Sequence, residues 1–349
     1  EERSASYHIC LLKRLVETAI MIQVVRNYRP KWILFFIDKM LNWSKKIRLT
    51  NSKYPRFNDS FFSKDIKLDQ IIKLSESYLK EINLFKEGSF YFALFDSFLN
   101  KSNLSKLKNY KFSNSYNSKI IDLPHTGWTI LRPGSSMEII FKGGISCPDY
   151  LPAHAHSDIL SFDLFKNGEP LIVETGTSTY QRSLIREYER SARAHNLLLL
   201  SEDNINFLEP LEVWKSFRAA RKYKILSRDN GIDENKIWVK CSFKPISKFL
   251  ISQERCLTSE RISDDIFELN IIDSIISTKK LFWNFYLHFA PNYDPNKLKI
   301  FLNEKLLNTK SKNFKWIESW TSFEYGNRIL SRSLIISGKF DAGFNQNVI

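Results

Sequence analysis

The sequence predicts an α+β multidomain chain: helices of a bundle or partial α/α toroid, followed by an antiparallel β-sandwich. Three observations lead there. Apolar residues over roughly the first hundred positions recur at three- and four-residue steps, the helical period. From about Lys101 to Lys119 the composition turns to Asn, Ser, Lys and Tyr and the period fades, which marks a boundary. Beyond it come short β-type runs separated by turn residues, without the regular helix alternation that a parallel βα sheet needs. The resulting division is a helical domain over 1–105, a linker over 106–122 and a β-sandwich over 123–349.

Taken in order, the first helix is written in Tyr7, Leu11, Leu12, Leu15, Val16, Ala19, Ile20 and Ile22, which form one broad apolar face. Pro30 stands just before a second helix, from Lys31 to about Lys46, carrying Trp32, Phe35, Phe36, Met40 and Trp43. A polar loop with Pro55 and Asn58-Asp59 follows, then helical stretches near Ile66–Ile82 and Ser89–Leu99. The β-type runs are Trp128–Leu131, Met137–Phe141, Ile159–Phe165, Leu171–Val173, Asn196–Leu200, Ile237–Phe243, Ile266–Ile272, Leu281–Phe289 and Leu330–Ile336. No internal repeat is visible.

Composition narrows the function. At 349 residues the chain suits two domains, and a hydrophobic fraction of 43% with 27 Phe, 14 Tyr and 8 Trp excludes a disordered chain. No apolar run approaches the roughly 18 residues of a membrane-spanning helix. Cys10, Cys147, Cys241 and Cys256 are scattered, with no CxxC pair, which argues against a disulfide framework or a cysteine zinc ribbon. The net charge is +14, but lysines are spread along the chain rather than gathered in a block with interleaved aromatics. That favours a solvated basic surface, or an acidic ligand such as a polyanionic sugar, over nucleic acid. The chain opens on Glu-Glu, and is read as lacking its natural N-terminus and any signal peptide.

The most informative segment is Pro152-Ala-His-Ala-His-Ser-Asp158. On an extended strand, alternation puts His154, His156 and Asp158 on one face. Histidine titrates near neutral pH and is the commonest metal ligand, so such a group invites a functional reading. Asn167-Gly168 signals a type I′ hairpin that returns the chain to Glu174. With strict pairing Glu174 falls on the face opposite His156, and only a bulge, for which Pro170 is a candidate, reverses that parity. Arg186, Arg190 and Arg193 precede His195-Asn196, either as surface charge or as bidentate holders of carboxylates or sulfates. His156, Glu174 and His195 are of the types zinc accepts, although their spacing is unlike a local zinc motif. His125 and His288 sit in β-type segments without carboxylate neighbours and read as structural. Asn58-Asp59 reads as a loop cap.

These segments together resemble the heparinase II/III-like polysaccharide lyases. The resemblance rests on Glu2-x-Ser4-x-x-Tyr7-His8, Pro55-Arg-Phe-Asn-Asp59, His154–Asp158, Glu174-Thr-Gly-Thr177, Tyr180 and Arg190-x-x-Arg193-Ala-His-Asn196, in order over nearly the whole chain. It implies a helical toroid packed on a β-sandwich with substrate between them, and a periplasmic or secreted protein. Tyr7 and His154 match the family's catalytic pair, with His8, Arg190, Arg193 and Asn196 as substrate-binding candidates. His156, Glu174 and His195 match positions that hold zinc in some members, with Glu174 standing where the family usually has Asp. The helices carrying the family's carboxylate-neutralising Asn or His are absent, so the chain resembles the C-terminal part of a longer protein.

The implied chemistry is β-elimination on a uronate-containing acidic polysaccharide. A base removes the proton beside the uronate carboxylate and an acid protonates the departing oxygen, roles within reach of tyrosine and histidine. No glycine-rich phosphate loop is present, and the chemistry needs no nucleotide cofactor. Two alternatives stay open at this stage: an inactive carbohydrate-binding or scaffold protein of the same architecture, and a zinc hydrolase.

Overall fold

In a computed structural model, residues 3–64, 66–80, 119–134, 136–263, 267–291, 313–340 and 343–347 are described. The expected helix at Ser89–Leu99 and most of the expected linker lie outside them. The chain divides into two compact units. A helical unit takes Ala5–Pro55 and Phe62–Asn117, and a β unit takes Glu1–Ser4, Arg56–Phe61 and Ser118–Ile349. The six-residue loop Arg56–Phe61 therefore belongs with the strands, although it lies between helices in sequence.

The helical unit contains α1 (Ala5–Arg26), α2 (Lys31–Ile47) and α3 (Leu68–Leu79). Their buried faces follow the helical period: Ile9, Leu12, Val16, Ala19 and Ile20 on α1, and Ile33, Ile37, Leu41 and Ile47 on α2. The aromatic residues that drew attention in α2 lie elsewhere, since Trp32, Phe35 and Phe36 are all exposed. Polar ties join the helices. Tyr78 donates its hydroxyl to the Ala19 carbonyl (3.1 Å), and Arg48 holds Asp69 through Nε and Nη2 (2.5 and 2.8 Å).

In the β unit, β1 (Ile120–Leu123), β2 (Trp128–Leu131), β3 (Met137–Lys142), β4 (Phe162–Lys166) and β5 (Glu169–Ile172) form a meander. After β5 come α4 (Leu184–Arg190), a 3₁₀ turn at Ala192–Ala194, β6 (Leu198–Ser201) and a ribbon of β7 (Leu211–Trp214) with β8 (Arg218–Arg221). The remaining strands are β9 (Tyr223–Asp233), β10 (Lys236–Pro245), β11 (Leu250–Arg261), β12 (Phe267–Ser277), β13 (Leu281–His288), β14 (Asn313–Thr321), β15 (Ile329–Phe340) and β16 (Gly343–Asn347). They form two further sheets, ordered β16-β12-β11-β10-β9 and β14-β15-β13-β6. The paired strands run antiparallel, and one core draws Phe141, Phe162, Val239, Leu257, Trp283 and Ile336 from all three sheets. This is the expected sandwich architecture.

Several strands escaped the pattern reading because they present little alternation. β9 buries only Tyr223, and β14 is exposed over its first half. The expected strand Ile159–Phe165 begins only at Phe162, preceded by turns in which Leu160 takes φ 68°. His125 also lies in a turn, exposed, rather than in a strand.

The hairpin between β4 and β5 forms as its turn residues require. Asn167 and Gly168 both adopt positive φ (53° and 76°), and Lys166 pairs with Glu169. Phe165 then faces Pro170, but Leu164 faces Ile172, so Leu171 is bulged out. That single extra residue reverses the parity of everything that follows, Glu174 included.

Candidate active site

The loop Arg56–Phe61 is anchored residue by residue inside the β unit. Arg56 donates to the backbone carbonyls of Ser322 (2.6 Å) and Glu174 (3.2 Å), and Phe57 meets Trp128 edge to face at 5.6 Å. Asn58 takes φ 61°, a left-handed conformation that Asn tolerates. Its amide donates to the carbonyls of Arg3 (3.0 Å) and Ser146 (3.1 Å), and its oxygen accepts from Lys142 Nζ at 2.6 Å. So fixed, the loop delivers Asp59 to the centre of the site.

Asp59 is fully buried and gathers cations and donors from three other segments. Arg186 of α4 clamps it bidentately (2.5 and 2.6 Å), His154 Nδ1 and His156 Nε2 each lie 2.9 Å from one of its oxygens, and Thr177 donates at 3.2 Å. Burial alone would push this carboxyl's pKa up, but the hydrogen bonds from His154, His156 and Arg186 hold it well below the usual carboxylate range. An ionised Asp59 only accepts, so it requires the proton on Nδ1 of His154 and on Nε2 of His156. His154 is thereby presented with Nε2 as its acceptor nitrogen. Its side chain keeps 17% of its exposure, whereas that of His156 keeps none.

Beside this knot lies a second buried group. Lys142 forms an ion pair with Asp158, whose other oxygen accepts from Ser146 at 3.1 Å. Burial lowers the Lys142 pKa, against the pull of Asp158. His195 Nδ1 lies 2.8 Å from Glu174 Oε2, and the bulge in β5 is what allows that contact. Burial and the neighbouring Asp158 carboxylate raise the Glu174 pKa well above its usual value, while burial pushes His195 down to about 4. Burial, with the charge of Glu174, raises Asp163 to about 8.

The buried atoms here that make no hydrogen bond include His156 Nδ1, His195 Nε2 and Glu174 Oε1, with Asp163 Oδ2 and Thr175 Oγ1 beside them. The first three belong to the residues singled out as metal ligands, and the rings of His156 and His195 are 5.4 Å apart. Among the described residues, the set whose ligand atoms lie within 4.8 Å of one another is Asp158, Glu174 and His195; it takes Asp158 in place of His156, although both Asp158 oxygens already have partners. The donor chemistry of His156, His195 and Glu174, two imidazole nitrogens and a carboxylate oxygen, fits zinc.

The structure corrects other sequence assignments. Arg190 is fully buried and donates to the carbonyls of Ala155 (3.0 Å), Ser216 (3.0 Å) and Arg218 (3.2 Å), so its guanidinium is a loop anchor rather than a carboxylate receptor. Asn196 is equally buried, donating to Phe162 (2.8 Å) and accepting from the His288 backbone (2.7 Å). His8 lies against Trp43 (ring centroids 4.2 Å), with Nε2 3.0 Å from the Met40 carbonyl, and so ties α1 to α2. Burial pushes its pKa down to about 4. Among the four substrate-binding candidates only Arg193 is exposed. Asp158 binds Lys142 and Ser146 while the two histidines meet on Asp59, and the segment is a turn-rich loop to which strand alternation does not apply. Tyr7 stands half-buried in the first turn of α1, in the helical unit, and His154 stands in the β unit.

The residues that sequence reasoning undervalued are Asp59, Arg186 and Lys142. Arg186 reads from sequence as surface charge or as a bidentate holder of carboxylates or sulfates, and the carboxylate it holds is the chain's own. The adjacency Arg56-Phe-Asn-Asp59 was the available signal, but its partners are 95 to 127 residues away.

The sequence profile of the "Heparinase II/III-like, C-terminal" family matches residues 117–343, and the chain belongs to that family. No curated protein matches the chain. Among solved structures it is similar to the heparan sulfate lyase HepC from Pedobacter heparinus, with a TM-score of 0.66 at 16% identity, covering 99% of this chain and 51% of that one. A structure of heparinase III matches with a TM-score of 0.65 at 16% identity, covering 99% of this chain and 53% of that one. At this identity the likeness is one of fold, and the chain spans about half the length of these structures.

Proposed function

We propose that the chain is part of a polysaccharide lyase that cleaves a uronate-containing acidic polysaccharide by β-elimination. The helices α1–α3 are read as the end of an α/α toroid. The observation that carries the proposal is the Asp59–His154 contact. A buried carboxylate fixes the Nδ1–H tautomer of a histidine that keeps solvent access, leaving a basic nitrogen directed elsewhere. In this reading His154 takes part in removing the proton beside the uronate carboxylate, and Tyr7 protonates the departing oxygen. The +14 net charge favours encounter with a polyanion, and the heparan sulfate lyase described above has the same fold.

Zinc, in the same proposal, is held by His156 Nδ1, His195 Nε2 and Glu174 Oε1, three of the orphaned atoms. It would supply positive charge that satisfies those buried groups and stiffens the loops carrying His154 and Glu174. Elemental analysis of protein grown with zinc is expected to return about one equivalent, lost in His195→Ala. Stoichiometric zinc in that variant, or none in the parent, refutes the metal assignment. The lyase assignment is tested by ultraviolet absorbance of unsaturated uronate products, with heparan sulfate and other uronate polymers as substrates. A parent protein that binds these polymers and forms no such product refutes it.

A further inference from the structure

Beside His154 lies a row of aromatic rings supplied by four separate segments of the β unit. Phe61 ends the anchored loop, Tyr180 follows β5, Phe217 sits in the β7–β8 turn and Tyr325 follows β14. Ring centroids run Phe61–Tyr325 5.6 Å, Tyr325–Tyr180 5.0 Å and Tyr180–Phe217 5.6 Å, and the row ends on His154, 5.8 Å from Phe217 and 6.3 Å from Tyr180. Phe217 and Tyr325 remain 42% and 47% exposed. Large rings held together at the surface by separate elements mark a contact site more often than a stray exposed residue does.

The guanidinium of Arg186 lies under this row, 5.1 Å from the Tyr180 ring and 5.6 Å from that of Phe217. Its charge is already matched by the bidentate bond to Asp59. The row therefore places aromatic rings, tilted 42° to 47° from one to the next, over a neutralised ion pair, and its chemistry suits apolar surface rather than an anion. A pyranose ring offers such a surface in its C–H face, with hydroxyls and carboxylate at its rim. Aromatic side chains around a few fixed polar groups are the usual lining of small-ligand sites.

We propose that Phe217, Tyr325 and Tyr180 form a stacking platform that seats a sugar ring of an acidic glycan beside His154. This rests on the lyase reading for the identity of the ligand, and the experiment separates the two. Binding of a heparan sulfate oligosaccharide and of poly-L-glutamate to the 349-residue chain is measured by calorimetry, for the parent, Phe217→Ala, Tyr325→Ala and Phe217→Trp. Both alanine variants are expected to bind the oligosaccharide about tenfold more weakly, the cost of losing one aromatic anchor. Their affinity for poly-L-glutamate and their melting temperatures stay unchanged, and Phe217→Trp keeps sugar affinity. Equal loss on both polymers, unchanged sugar affinity, or a parent that binds no oligosaccharide overturns the platform. A chain that binds sugar through these rings and yields no unsaturated product keeps the platform and refutes the lyase. Turnover with a KM indifferent to both alanine variants does the reverse.

Discussion

Replacing Asp59 by Asn removes one charge at the place where the site is most tightly tied. The carboxylate is wholly buried, clamped by Arg186 and in contact with His154, His156 and Thr177. An amide of the same shape offers one acceptor where there were two, and turns an N–H donor toward another donor. The guanidinium of Arg186, itself fully buried, loses its counter-charge. Removing one partner of a buried ion pair costs about 3–5 kcal/mol, which for a domain of this size lowers Tm by about 6–20 °C. The assay is thermal unfolding followed by tryptophan fluorescence, on Asp59→Asn and on Asp59→Asn/Arg186→Leu. The double variant is expected to recover part of the loss, because removing both charges together leaves no uncompensated ion. On the lyase proposal, turnover should stay down about 10²–10⁴-fold in both, since neither carries the carboxylate whose charge holds the His154 Nδ1–H. A single variant melting within about 2 °C of the parent, or a double variant less stable than the single, refutes the reasoning.

Four further outcomes are expected. On the lyase proposal, Tyr7→Phe and His154→Ala in the full-length protein each lower turnover about 10²–10⁴-fold with the fold intact, while exposed His125→Ala has little effect, as product absorbance would show. Gly176→Ala destabilises by more than about 2 kcal/mol in chemical denaturation, because φ is +76° and a Cβ would meet the Ser322 carbonyl oxygen at 2.3 Å. His288 is buried, with Nε2 against the Arg193 carbonyl (3.0 Å), and burial pushes its pKa down to about 3. With the folded pKa depressed, its stabilising contribution is present above about pH 6.5 and falls by roughly 1.4 kcal/mol per pH unit down toward 3. His288→Gln should flatten stability between pH 6 and 4 relative to the parent, and an unchanged acid slope would count against that account. His8 behaves the same way over a narrower window, from about 6.5 down to about 4, read by circular dichroism of the helices.

Much of this was legible in the linear chain. The apolar period of α1 and α2, the Asn167-Gly168 turn and the strands that alternate or run apolar were readable because their signals are local. His154, His156, Glu174 and His195 stood out for the same reason, as residue types seldom placed together without purpose. The buried face of α2 was not legible, because Trp32 and Phe35 compete with Ile33 and Ile37 as apolar residues and only the fold shows which side is covered. Arg190 and Asn196 read as ligand-facing groups from guanidinium chemistry and from the resemblance, neither of which carries a record of burial, and only the folded chain surrounds them with backbone partners.

What the sequence determined by itself is the order of its elements, the family its motifs resemble and the list of chemically able residues. Which of these residues act together was decided only in three dimensions. A single bulged residue, Leu171, turns Glu174 toward His195, and a loop from between two helices carries Asp59 to residues some hundred positions downstream. The physical reason is that a side chain's charge state and free hydrogen-bonding atoms depend on what desolvates it and what it touches. Those partners are chosen by packing across the sheets and not by neighbours in the chain.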